Sequence, residues 1–206
     1  KYYQKKPTYP ITLAASGTRY RKQFLKNIMK NNKSNKPFTG GVISFNKKYF
    51  EKINGYPNNF RNWGGEDDSL LIRMVDNKLY KLEYPKVGSI IDIEKNNSGK
   101  PKVVLNKLSE LKKNDSMEFQ KYEKLLIDFE QWKNNGINSL VYKSLKNNKI
   151  NNYTTQITVD LLYKEEEKKY PKLYPKKNNM TNNNYQKYKK EFLDKLFNYY
   201  DKIQIV

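Results

Sequence analysis

The chain has 206 residues, with 41 Lys and Arg against 21 Asp and Glu and a formal net charge of +20. Its 36% hydrophobic and 14% aromatic content is enough to build a core, so a globular domain is expected. Cysteine and histidine are both absent, which excludes disulfides, thiolate zinc sites, a cysteine nucleophile and any imidazole base, and leaves carboxylates, tyrosines and lysines for proton transfer.

In chain order, "YPITLAAS" reads as a strand among the turn signals Pro7, Pro10 and Gly17, and Phe24, Leu25, Ile28 and Met29 sit at helical spacing in residues 21 to 33. Pro37 and the pair Gly40-Gly41 mark a turn before a short buried strand, "VISF", and a helix "KKYFEKI" that Asn54-Gly55 ends. A loop then feeds a helix whose Leu70, Leu71, Met74 and Val75 share one face. "KLYKLEYPKVGSIIDIEK" suggests two strands broken at Pro85, and "NNSGKPK" a surface loop. Helical periodicity runs through residues 103 to 134, followed by strands at "SLVYKSL" and "YTTQITVDLL". From Lys164 the chain becomes a Lys/Tyr/Asn-rich extension in which "KEEEKK" reads as a solvated charge run. It closes with an amphipathic helix that places Tyr185, Tyr188, Phe192, Leu196, Tyr199 and Ile203 near one side.

The segment "NWGGEDDSLL" carries the chemistry. Glu66, Asp67 and Asp68 fall at a helix start, where carboxylates complement the positive end of the macrodipole by ~0.3–1 kcal/mol each. A cap alone needs no Trp63-Gly64-Gly65 before it. A loop that closes over a ligand does, because it draws hinge freedom from the glycines and a planar cover from the tryptophan.

"FTGGVISFNKKYFEKINGYPNNFRNWGGEDDSLLIRM" resembles the β-1,4-galactosyltransferases, glycosyltransferase family 7, in the order of its Gly-Gly-Val strand, "NGYPN" turn and "WGGEDD" loop. The later block "NNGINSLVYKSLKNNKINNYTTQITVD" is similar to that family's closing segment, so the likeness spans roughly residues 36 to 161. It implies an α/β fold of the GT-A nucleotide-sugar transferase type, of which this chain would be the C-terminal half, with a helical C-terminal extension. The expected organisation is the end of a nucleotide-binding half at 1–35, the galactosyltransferase C-terminal catalytic region at 36–163 and the extension at 164–206. The implied activity is inverting transfer of galactose or N-acetylgalactosamine from a UDP-sugar to a saccharide or glycoconjugate hydroxyl, assisted by Mn²⁺ or Mg²⁺. Asp67 would be the base, with Glu66 positioning a sugar. Trp63, Gly64, Gly65 and Asp68 would belong to the closing loop, and Gly40 and Gly41 would admit the sugars close to the backbone.

Departures matter. No Asp-x-Asp element precedes residue 36, so a separate N-terminal nucleotide-binding segment is expected to hold the donor. Where the family places a methionine and a histidine as metal ligands, this chain has Asp92 and Lys95; Asp92 can serve as a hard-oxygen ligand and a protonated lysine cannot. Val104 and Leu105 stand where the family's acceptor pocket has an arginine and an aromatic, so acceptor identity does not transfer. The alternative is a catalytically degenerate carbohydrate-binding or assembly module. Nucleic acid is a poorer partner, because the lysines accompany the Asn, Ile and Tyr excess of AT-rich codon usage. No apolar run reaches the ~20 residues of a membrane span. The lack of cysteine favours a cytoplasmic setting, or a lumenal one if the full-length gene supplies a signal or anchor.

Overall fold

A computed structural model describes residues 8–12, 39–60, 64–83, 116–175 and 181–205. The described elements, in order, are β1 (Ile11–Thr12), β2 (Ile43–Ser44), α1 (Lys47–Lys52), α2 (Glu66–Asp76), β3 (Lys81–Leu82), α3 (Ser116–Gln131), β4 (Lys143–Lys149), β5 (Thr155–Asp160), α4 (Tyr163–Lys169), α5 (Asn182–Tyr200) and β6 (Gln204–Ile205). The chain is mixed helix and strand, with three two-stranded pairings and no closed sheet among the described residues. β1 pairs antiparallel with β2 and β3 parallel with β6. Thr12 N–H donates to Glu83 O and Glu83 N–H to Pro10 O, both at 2.9 Å, which ties β1 to the end of β3.

α2 is the centre of the molecule. The sequence pattern suggests one apolar face, but Leu70, Leu71, Ile72, Met74 and Val75 are all buried, because the helix lies between two clusters. Leu71 and Ile72 pack with Leu125 of α3 and Phe192, Leu196 and Tyr200 of α5. Leu70 and Met74 pack with Ile53 and Leu82, flanked by Ile43, Phe45 and Phe50. A helix apolar around most of its girth needs neighbours on both sides, at ~1.5–3 kcal/mol for each large side chain buried.

α1 starts as the pattern suggests, with the side chain of Asn46 accepting from Lys48 N–H at 3.0 Å. It stops where Asn54 (φ 59°) and Gly55 (φ 63°) enter the left-handed region. The first strand of the hairpin departs from its expected place. The first strand, expected over 139–145, starts later: Ser139 closes a 3₁₀ turn (Ile137–Ser139) in which Asn138 bonds to Asn54 and Ser139 to Gly136, and β4 begins only at Lys143, while β5 falls within the expected 153–162. The charge run after Lys164 is not uniformly solvated either, since it forms α4 and Glu166 is 3% exposed. The C-terminal helix is present as α5, capped by Thr181 Oγ1, which accepts from Asn184 N–H at 3.2 Å. The expected helix at 21–33, the second strand after Pro85 and the first part of the 103–134 helix lie outside the described residues.

Candidate active site

α2 begins at the junction of two glycines and three acids. Gly64 (φ 100°) and Gly65 (φ 106°) both have the positive φ that side chains resist. Gly65 is also hemmed in, since a Cβ there would lie 2.5 Å from Cε1 of Phe60. This turn sends the three carboxylates in different directions. Glu66 folds back, its Oε2 accepting from Gly64 N–H at 3.1 Å. Asp67 stays half-exposed, with Oδ1 accepting from Asp68 N–H at 3.0 Å. Asp68 is 6% exposed, and its Oδ2 lies 3.6 Å from Nζ of Lys121 on α3. Thr39 Oγ1 donates to the Asp67 carbonyl at 2.9 Å, so the start of the Gly40-Gly41 turn is stitched to the acid loop. Gly40 is buried and Gly41 (φ 79°) exposed.

The local field is acidic and partly dry. Burial raises the Glu66 carboxyl above its ordinary range and Asp67 adds to this, while hydrogen bonds from the Glu66 and Gly64 amides and the charge of Lys121 oppose it. Burial, followed by Asp67 and Glu66, raises the Tyr56 phenol, so the ring in the "NGYP" turn stands within the field of the acids.

A buried polar hub fixes the helix beneath the acids. Arg73, with no exposed surface, donates from Nε to Asp128 Oδ2 at 3.1 Å and from Nη2 to Asp128 Oδ1 at 2.6 Å. Its Nη1 reaches the carbonyls of Asn54 at 3.2 Å and Gly55 at 2.9 Å. Asp128 also accepts from Ser69 Oγ and, at 2.6 Å, from Asn135 Nδ2. Asn135 in turn takes the Asn58 amide at 2.8 Å and donates to Asn59 Oδ1 at 2.9 Å. The "NGYPNN" turn, the acid helix and the "NNGINS" turn therefore meet on one ion pair.

The sequence-derived residues Glu66, Asp67, Asp68, Gly64, Gly65, Gly40 and Gly41 come together, whereas Trp63 and Asp92 lie outside the described residues. Among the described residues no three ligating side chains gather into a metal site, and no helix is long and apolar enough to cross a membrane. Sequence reasoning missed Lys121, Tyr56 and the Arg73–Asp128 hub. Only the tyrosine, inside a recognised motif, offered a local signal; the others depend on how distant helices meet.

Residues 22–96 of the chain match the family described as "N-terminal domain of galactosyltransferase". Its relatives include the beta-1,4-galactosyltransferase 1 of Mus musculus, 34% identical over 124 residues that make up 60% of this chain and 28% of the relative. The Homo sapiens protein of that name is 32% identical over the same shares. The beta-1,4-galactosyltransferase 5 of Sus scrofa is 49% identical over 49 residues, 24% of this chain and 12% of that one. The chain thus spans 28% of the length of the first two relatives, all of them glycosyltransferases by name.

Proposed function

We propose that the chain is the acceptor-side part of an inverting glycosyltransferase of GT-A type, moving galactose or N-acetylgalactosamine from a UDP-sugar to a saccharide hydroxyl. One observation supports the assignment of roles: Asp68 is buried against Lys121, and of the two half-exposed carboxylates, Glu66 and Asp67, it is Glu66 that is turned back onto the Gly64 amide. Asp67 takes the proton of the acceptor hydroxyl as its oxygen bonds to the anomeric carbon. The bond from that carbon to the diphosphate breaks on the opposite side, and UDP leaves with the electron pair. Glu66 and the Gly64-Gly65 turn, with Trp63, shape the sugar-facing loop. The Gly40-Gly41 turn admits the sugar ring close to the backbone.

A divalent ion, Mn²⁺ or Mg²⁺, with Asp92 as one oxygen ligand, belongs to the same proposal and would supply positive charge to the leaving diphosphate. Among the described residues no three ligating side chains form its seat. The donor half would be a segment outside these 206 residues. The absence of cysteine suits a reducing, cytoplasmic setting.

The test is UDP release from UDP-sugars with Mn²⁺ and a panel of monosaccharide acceptors, using the gene-length protein and its Asp67→Asn variant. Acceptor-dependent release that falls about 10²–10⁴-fold in the variant is expected for a lost general base. Release unchanged by Asp67→Asn would refute the role. No turnover in any form, with retained saccharide binding, would make the chain a binding module instead.

A further inference from the structure

The Tyr163–Leu173 segment, at the start of the C-terminal extension, lies beyond residues 22–96, the part of the chain that carries the family match. It consists of α4 and a 3₁₀ turn at Pro171–Leu173, and it is firmly seated: Glu166 and Leu173 are both buried, and the 3₁₀ turn lies against α3. The carbonyl of Leu173 accepts from Nδ2 of Asn59, 114 residues away in sequence, at 2.8 Å.

Asn59 passes that contact inward. Its Oδ1 accepts from Nδ2 of Asn135 at 2.9 Å. The same Nδ2 donates to Asp128 Oδ1 at 2.6 Å, while Asn135 Oδ1 accepts from Asn58 N–H at 2.8 Å. Asp128 in turn accepts from Ser69 Oγ, and Ser69 N–H bonds to Gly65 O at 2.9 Å in the turn that bears Glu66, Asp67 and Asp68. Four side chains, those of Asn59, Asn135, Asp128 and Ser69, thus connect the extension to the acids by hydrogen bonds, and none of these residues has exposed surface.

The polarity of the relay dictates the residue types at its joints. A carbonyl at Leu173 obliges Asn59 to present its amide nitrogen, which leaves its oxygen for Asn135, and Asn135 must then present its own nitrogen to both Asn59 and Asp128. An aspartate at 59 would set oxygen against oxygen, and an alanine would strand the Leu173 carbonyl in the interior. Anchoring the extension by packing alone would need only the Leu173 side chain. Routing its carbonyl into the Arg73–Asp128 pair makes the seating of the extension and the order of the acid turn two ends of one network.

We propose that Asn59 is a positioning residue that clasps the Tyr163–Leu173 segment to the acid helix, so that docking of this segment orders the first turn of α2 and with it the direction of Asp67. The proposal rests on the reading of Asp67 given above, but it can fail separately.

Amide hydrogen exchange in the full chain reads the coupling without any activity. Leu173→Ala loosens the 3₁₀ turn and leaves every side chain of the relay in place, yet Ser69 N–H should exchange at least about fivefold faster, the lower end of couplings between sites. Coupling is reciprocal, so Ser69→Ala should speed Tyr174 N–H, bonded to Pro171 O at 3.3 Å, by the same factor. Tyr185 N–H, bonded to Thr181 O at 2.9 Å at the start of α5, should keep the parent rate in both. In an Asn59→Ala background both cross effects should vanish; should that variant not fold, the two reciprocal variants still decide. Cross effects below about twofold, the scatter of independent sites, would overturn the clasp, as would their persistence without Asn59 or equal acceleration at Tyr185. Where transfer is measurable, Leu173→Ala should lower kcat about fivefold with little change in acceptor KM. Coupled exchange with unchanged kcat would overturn the positioning role and leave Asn59 to the fold alone. If no form of the protein transfers sugar, the role given to Asp67 fails, and the exchange pattern still decides whether the clasp exists.

Discussion

Replacing Asp128 by alanine would leave the guanidinium of Arg73 in the core without its counter-charge. The carboxylate receives two bonds from Arg73, one from Ser69 and one from Asn135, and neither member of the pair has exposed surface. Removing one partner of such a pair costs about 3–5 kcal/mol, because the remaining charge stays buried and uncompensated. Against a typical total of ~5–15 kcal/mol, this is a large fraction of the stability. Urea titration should show a lower midpoint with an unchanged slope, and because the pair is dry the loss should persist at high salt.

Arg73→Met combined with Asp128→Leu removes the stranded charge and separates electrostatics from packing. The carbonyls of Asn54, Gly55 and Asn135 still lose their donor in the double variant, so it should remain below the parent. It should nonetheless recover about 1–3 kcal/mol of what the two single variants lose together, the range found for residues in direct contact. A loss under about 1 kcal/mol for Asp128→Ala, in the range of exposed pairs, would refute the hub. So would additivity of the two single variants.

The glycine pair should separate cleanly. Gly64→Ala meets only Lys121 Nζ at 3.9 Å and should cost about 1 kcal/mol from backbone strain, whereas Gly65→Ala strikes Phe60 and should cost about 2–3 kcal/mol by chemical denaturation; equal costs would remove Phe60 from the explanation. Glu66 has a raised folded-state pKa, so the folded chain holds that proton more tightly than the unfolded chain. The stability it contributes is full below the unfolded pKa and is lost as pH rises through the folded one. Glu66→Gln should therefore gain on the parent in melting temperature between pH 4 and 7, and a difference that shrinks over that range would contradict the burial argument.

What could be read from the sequence follows the range of the forces involved. The end of α1 was legible because its stop, Asn54-Gly55, is local chemistry. The acid helix was legible for the same reason, and its family likeness rests on contiguous motifs. The start of the first hairpin strand was not, because Asn138 looks neutral until Asn54, far away in sequence, takes it into a turn. Arg73 reads as one more surface cation in a chain of net charge +20. Only the meeting of α2 with α3 shows it to be buried. The same holds for Glu166, which sits in a run of charge yet is buried.

The capping and catalytic readings of Glu66, Asp67 and Asp68 are not rivals in the folded chain. The N-cap residue, Gly65, has no side chain to offer the exposed amides. Asp67 supplies one bond of that kind to Asp68, and Glu66 supplies another to Gly64, outside the helix. Two of the three acids thus stabilise the loop, and the third is neutralised by Lys121. A cap for its own sake would be served as well by serine or threonine at Gly65, and their side chains would collide with Phe60. The left-handed glycine turn therefore fixes where the carboxylates project, at the expense of the simpler cap. This is the arrangement expected when the direction of Asp67 matters more than the last few tenths of a kcal/mol of helix stability.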